Sequence, residues 1–263
     1  MTGLRVVSWG GGVQSTAMLV LAAQNRIPFR TFLFSNVGDD SENPDTLTYH
    51  RETALPYAKA AGLELIEVWR TLRNGDRETI YQRINRADTK SVVIPIRGQN
   101  GKPMARDCTA DFKVRVIGKW LKAHGATPEN KATVAMGISV DEIHRANTLR
   151  AQDYEQLIYP LLDLRMRRTD CEQVIRDAGL PVPPKSACWF CPFHKPSYWS
   201  SVDEETFYRA AELENVINER QATSGREPLY ITRFGRPLLE APLERTQETL
   251  FDDDHCDNGW CMT

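Results

Sequence analysis

Residues 8–16, Ser-Trp-Gly-Gly-Gly-Val-Gln-Ser-Thr, constrain the fold of this 263-residue chain more than any other segment. They follow the apolar run Leu4-Arg5-Val6-Val7 and lead into Ala17-Met18-Leu19-Val20-Leu21-Ala22-Ala23. That order reads as a strand, a tight turn that glycine makes most easily, and a helix opening on small hydroxyl residues. Backbone N–H groups of such a turn, added to the helix N-terminus, form a cradle for phosphate. Two familiar phosphate loops fail on these residues. A Walker loop closes on Gly-Lys-Ser/Thr, and the segment holds no lysine. A dinucleotide fingerprint would use Gly10 and Gly12, but Ser15 stands at its third glycine. Its acidic partner, due roughly twenty residues on, is missing, since Asp39 and Asp40 come too late.

Further strands are expected over 30–36, 63–70, 133–138 and, shorter, 157–161. Helices are expected over 15–24 and from Pro44, capped by Asn43, to a stop at Gly62 with a bend at Pro56. This alternation predicts an α/β fold, a doubly wound and mostly parallel sheet covered on both faces. Ligands of such sheets bind beyond the carboxyl ends of the strands, where 10–15, 36–42 and 137–142 would gather. After Cys171 the pattern turns helical and irregular, with a break at Pro181, Pro183 and Pro184. Two parts are expected: a nucleotide-binding α/β domain over 1–170, and a helical C-terminal region over 171–263 that carries cysteines. Charged residues make up 26% and the formal net charge is −2, so no global field recruits nucleic acid or membrane. No secretory leader and no apolar run of membrane-spanning length is read, and a cytoplasmic setting is expected. In that setting six cysteines point to metal ligands or redox thiols rather than disulfides.

Three further constellations carry chemistry. In Asn36-Val37-Gly38-Asp39-Asp40-Ser41-Glu42-Asn43-Pro44-Asp45-Thr46, the carboxylates of Asp39, Asp40 and Glu42 could hold Mg²⁺ against phosphates or contact ribose hydroxyls. A solvated acidic loop is the plain alternative. In the stretch 137–145, Glu142 and Arg145 stand three apart and share a helix face, and Arg145 could grip phosphate or form a surface ion pair. Cys188-Trp189-Phe190-Cys191-Pro192 is a Cys-x-x-Cys-Pro knuckle, and a single Cys108 lies far upstream. The pair fits half a metal site or a redox pair, and Cys-Pro endings are familiar at iron–sulfur ligands. Trp189, Phe190, Phe193, Tyr198 and Trp199 could stack a base, but shielding a cluster from water is preferred. Arg165, Arg167 and Arg168 read as a solvated basic face.

Gly10-Gly11-Gly12-Val13-Gln14-Ser15 resembles the pyrophosphatase (PP) loop, Ser-Gly-Gly-x-Asp-Ser, of the PAPS reductase-like group of adenine-nucleotide α-hydrolases. Gly10 replaces the first serine and Gln14 the aspartate. Gly38 and Pro44-Asp45-Thr46 resemble the group's Asp-Thr-Gly and Pro-Glu-Thr elements, with Asn36 for the first aspartate. Gly137-Ile138-Ser139-Val140-Asp141-Glu142 resembles Gly-x-Arg-x-x-Glu, with Ser139 for the arginine. Arg106, Cys108, Thr109 and Lys113 match an Arg-x-Cys-Thr-x-x-x-Lys element at each fixed position. The resemblance, over about residues 5–194, implies a HUP-like sheet of the PP-loop type. It implies ATP cleaved to AMP and pyrophosphate, with AMP passed to an acceptor that a sulfur or nitrogen nucleophile then attacks. Ser8, Gly10, Gly11, Gly12, Gln14, Ser15, Thr16, Gly137 and Glu142 would bind the nucleotide. Asp40, Glu42, Lys113 and Arg145 would act in catalysis, with Mg²⁺ as cofactor.

The same resemblance implies a four-iron, four-sulfur cluster on Cys108, Cys188 and Cys191. Cys261 is favoured as fourth ligand over Cys256 and Cys171, and zinc is the alternative metal. The partners implied are an adenine nucleotide, an acceptor of which nucleic acid is one class, a sulfur-donor protein, a second copy in a homodimer, and no membrane. Two other functions stay open: reduction of adenylyl sulfate or PAPS by a mobile tail thiol, and nucleotide sensing or scaffolding without catalysis.

Overall fold

The computed structural model describes residues 3–87, 89, 91–147 and 151–243. In chain order the elements are β1 (Arg5–Trp9), α1 (Val13–Ala23), β2 (Thr31–Asn36), α2 (Pro44–Tyr49), α3 (Leu55–Ala60), β3 (Glu64–Trp69), α4 (Ile80–Asn85), α5 (Asp107–Thr109) and α6 (Arg115–Ala123). There follow β4 (Ala132–Met136), a tight 3-10 segment (Val140–Arg145), β5 (Glu155–Ile158), α7 (Pro160–Asp163), α8 (Arg168–Asp177), α9 (Pro196–Ser201) and α10 (Glu204–Thr223). The five strands form one parallel sheet in the order β3-β2-β1-β4-β5. The chain builds outward from β1 to β3, then crosses to the other side of β1 for β4 and β5. The reversal opens a crevice at the carboxyl ends of β1 and β4, the place where such sheets bind ligands.

Most of α1 is buried and lacks a polar face, because it lies between the sheet and α8. Cys171 and Ile175 of α8 enter the same core as Val7, Phe32 and Phe34. The expected division at 170/171 therefore falls inside a helix of the sheet's own core. Burial pushes the Cys171 thiol up to about 12, as befits a core residue rather than a ligand.

Asn43 caps α2 by accepting the Asp45 N–H at 2.9 Å, and Pro44 takes the first position, as expected. In place of the bend expected at Pro56 there is a widened π turn over His50–Ala54, which ends two residues before the proline that has no N–H to donate. Gly62 ends α3 at φ +66°. The last strand runs over 155–158 rather than 157–161. Pro160 opens α7 instead, and buried Leu161 belongs to that helix.

A second core joins Ile80 and Ile84 of α4, Ile94, Ile96 and Phe112 to Trp189, Phe190, Trp199 and Ile217 of α10. The C-terminal helices thus pack on the 78–112 segment. Glu214, buried on α10, accepts the Ile231 N–H at 2.6 Å and the Leu238 N–H at 2.8 Å, tying down the 229–238 segment. Among the described residues no helix is long and apolar enough to cross a membrane.

Candidate functional site

The glycine loop turns from β1 into α1 through Gly11 at φ +78°, where a Cβ would also come within 2.8 Å of Thr46. The first intrahelical bond of α1 runs from the Thr16 N–H to the Gly12 carbonyl at 3.0 Å, so the N–H groups of Val13, Gln14 and Ser15 precede the helical ladder. At Gly12 a side chain would meet nothing within 4 Å, which leaves this face of the loop open. The end of β4 closes the other side. A Cβ at Gly137 would lie 3.0 Å from Ser15 N and 3.3 Å from Gln14 Cβ, so the two segments meet at this distance only through glycine.

Gln14 reaches across this junction. Its Nε2 donates to Glu142 Oε2 at 3.3 Å and to Ser139 Oγ at 3.5 Å. Glu142 Oε1 in turn pairs with Arg145 Nη1 at 2.5 Å, and the Arg145 side chain is only 6% exposed. Burial, with Arg106 nearby, lowers the Arg145 pKa against the pull of Glu142. Ser8 is buried and Ser15 donates to the loop's own Gly12 carbonyl at 3.0 Å, while Thr16 is enclosed in the core. These hydroxyls shape the loop from behind.

The acidic loop behaves differently from the expectation. Asp39 pairs with Arg51 at 2.6 Å at the surface, Asp40 accepts from Thr79 Oγ1 at 2.9 Å and from Ser41 Oγ at 2.8 Å, and Glu42 turns inward. The three carboxylates thus take separate partners and do not converge on one point. The cause is Gly38, whose φ of +124° folds the loop back against Thr79. Asn36 accepts the Gly38 N–H at 2.8 Å and donates to Asp39 and Glu67 at 3.0 and 2.6 Å. An aspartate at 36 would place a third carboxylate among these two.

The folded loop instead docks the knuckle. Asn43 donates to the Ala187 carbonyl, Trp189 to the Ser41 carbonyl, and the Trp189 indole to the Asp40 carbonyl at 2.7 Å. Cys108, Cys188 and Cys191, from two distant segments, then line one cleft with Glu42, Arg106, Lys113, Lys185 and Phe193. The cleft encloses about 690 Å³, including the part open to solvent. Burial raises the Cys188 and Cys191 thiols; Glu42 raises Cys188 further, and Arg106 opposes the rise at Cys191. Burial also raises Glu42, against the attraction of Lys113. His194 Nε2 donates to the Cys188 carbonyl at 2.8 Å and its ring stacks on Tyr198. Trp189, Phe190 and Trp199 are buried in the second core, so they support the knuckle and offer no open face to a base.

The structure thus brings Gln14, Gly137, Glu142 and Arg145 together at one place, and Glu42, Lys113 and the three cysteines at another. Lys113 also lines a smaller cavity with Ser8, Val134 and Glu155. Asp40 stands apart from both groups, and the tail candidates Cys256 and Cys261 lie outside the described residues. A tetrahedral zinc site needs sulfurs about 4 Å apart. Among the described residues no group of three or more His, Cys, Asp or Glu is placed to hold a metal ion. Sequence reasoning missed Lys185, whose only signal was its place just before the knuckle. It also missed Arg97, buried beneath Phe193 and donating to the Pro192 and Gly101 carbonyls. No protein-family model matches the chain, and no curated protein matches it.

Proposed function

We propose that this protein is an ATP-dependent adenylating enzyme of the PP-loop type, with a HUP-like sheet, that activates an acceptor for sulfur transfer. The observation that carries the reading is the gathering of Cys108, Cys188 and Cys191 with Lys113 and Glu42 in one cleft, Glu42 lying just past the carboxyl end of β2, the strand beside the one that leads into the glycine loop. The N–H groups of the first turn of α1 would bind the pyrophosphate portion of ATP, and the dipole of that helix favours the negative charge. An acceptor carbonyl oxygen attacks the α-phosphorus, the bond to the β-phosphate oxygen breaks, and pyrophosphate leaves with its electron pair. A sulfide equivalent from a donor protein then adds to the activated carbon and expels AMP, leaving sulfur where oxygen was. Lys113, which lines both the cysteine cleft and the Ser8 cavity, would offset charge on the α-phosphate.

The cleft gathers its three cysteines from two distant segments, which supports a shared metal or cluster site. Cys108, Cys188 and Cys191 would hold a four-iron, four-sulfur cluster, which would supply an iron site for sulfide when bound. A nucleic-acid base is one acceptor class with a suitable carbonyl.

The test is anaerobic purification followed by two assays. Iron with acid-labile sulfide, together with exchange of labelled pyrophosphate into ATP in the presence of acceptor, is the expected result. Sulfite release from adenylyl sulfate would replace this reading with the reductase. Nucleotide binding without either product would replace it with a sensor.

A further inference from the structure

Arg145 carries more donor capacity than the protein uses. Its Nη1 is taken by Glu142, but Nε and Nη2 are buried without a hydrogen-bond acceptor. Those two N–H bonds run parallel on one edge of the guanidinium, the edge that binds two oxygens of a carboxylate or phosphate at once. An enclosed cationic edge with no acceptor is costly unless something completes it. Arg106, close enough to depress the Arg145 pKa, adds a second positive charge to the same space. One carboxylate away lies the first turn of α1, reached through Gln14.

We propose that the Nε/Nη2 edge of Arg145 is a built oxyanion receptor, taking two oxygens of one phosphoryl group, with Glu142 and, from the first turn of α1, Gln14 as its positioning residues. Glu142 fixes the guanidinium from its opposite corner. Gln14 fixes Glu142 by donating to the second carboxylate oxygen, which Arg145 does not use. A glutamine suits this position because a carboxylate at 14 would face Glu142 with like charge and have no N–H to give. The departure from the aspartate of the PP-loop pattern is then a component of the receptor. The receptor depends on the nucleotide reading only for what bears the phosphate.

Calorimetric titration of the full-length chain with inorganic pyrophosphate and, separately, with ATP tests this. Arg145→Met should weaken pyrophosphate binding about 10- to 100-fold, and Arg145→Lys, which keeps the charge and loses the fork, by less. Gln14→Asp should weaken it about tenfold even though it restores the usual loop residue. That effect should vanish in the Arg145→Met background, a coupling that general loss of structure would not produce. Ligand-free melting curves show which variants fold; if Arg145→Met does not, Arg145→Lys and Gln14→Asp decide. Pyrophosphate and ATP both bound through Arg145 support the receptor and the nucleotide reading alike. Arg145-dependent binding of pyrophosphate with no binding of ATP keeps the receptor and removes the nucleotide reading. Equal ATP affinity in all variants overturns the receptor and leaves the nucleotide reading standing. A wild-type chain that binds neither ligand overturns both.

Discussion

The glycine-loop junction and the cysteine cleft bury their polar groups in different ways. The junction holds one buried ion pair, Glu142 with Arg145, whose guanidinium keeps two N–H donors without an acceptor. The cleft crowds Cys108, Cys188, Cys191 and Glu42 with Arg106, Lys113 and Lys185, and burial holds Cys188, Cys191 and Glu42 toward their neutral forms. Arg106 lines the cleft and acts on both Cys191 and Arg145, and Lys113 faces Glu42 and Cys188. The two sites are linked through Arg106. The comparison breaks if the two sites fail to act separately.

The largest expected effect concerns the cleft alone. Serine at 108, 188 or 191 should reduce iron and acid-labile sulfide in the anaerobically purified protein to background. Pyrophosphate affinity should stay unchanged, because Cys108, Cys188 and Cys191 line the cleft and not the junction. Cys171→Ser should keep its iron and lose about 1–3 kcal/mol of stability, since it buries a hydroxyl in an apolar core. Loss of pyrophosphate binding in Cys188→Ser would merge the two sites into one.

An intermediate effect belongs to the sheet side. His50 is buried between Trp9 and Phe34, and burial brings its pKa down to about 4. The unfolded chain takes up that proton near pH 6.5, and the fold does not until about 4. Stability from this group is therefore complete above pH 6.5 and lost as the pH falls toward 4, by up to about 3 kcal/mol. Urea unfolding at pH 7 and pH 4.5 should show that loss in the wild type and a smaller one in His50→Leu. An unchanged slope in the variant would move the acid response to other groups, those of the cleft included.

What was legible divides along the same line. The junction's backbone was readable because it is local: an apolar strand, three glycines and an apolar helix follow one another within residues 5–23, and Asn43-Pro44 announces its own cap. Its wiring was not, because Gln14 and Glu142 are 128 positions apart and only the meeting of α1 with the end of β4 joins them. In the cleft, the cysteines drew notice by spacing, but the partner of the knuckle did not. Glu42 seemed one of three carboxylates around a metal. The positive φ of Gly38 turns it toward Cys188 instead, and no residue pattern encodes the direction of a side chain after such a turn. The change of pattern after Cys171 misses the continuity of the core for a related reason. The prolines at 181–184 mark where α8 has already finished packing on α1, and composition changes before the core does.

The smallest effect separates fold from ligand within the junction itself. Gly137 and Gly12 both face α1, yet only Gly137 is under pressure, with Ser15 N 3.0 Å from where a Cβ would stand. Gly137→Ala should cost about 1–3 kcal/mol in urea unfolding, because the backbone of α1 must shift. Gly12 has φ −92°, a conformation open to any residue, and empty space around it. Alanine is a poorer cap than glycine there, but it also restricts the unfolded chain, and the two terms offset to within about 0.5 kcal/mol. The added methyl would stand where a phosphate approaches the first turn, so Gly12→Ala should bind pyrophosphate about tenfold more weakly while unfolding at the same urea concentration as the wild type. Unimpaired binding in Gly12→Ala would mean that the anion reaches Arg145 without touching α1, which would detach the receptor from the loop that first suggested it.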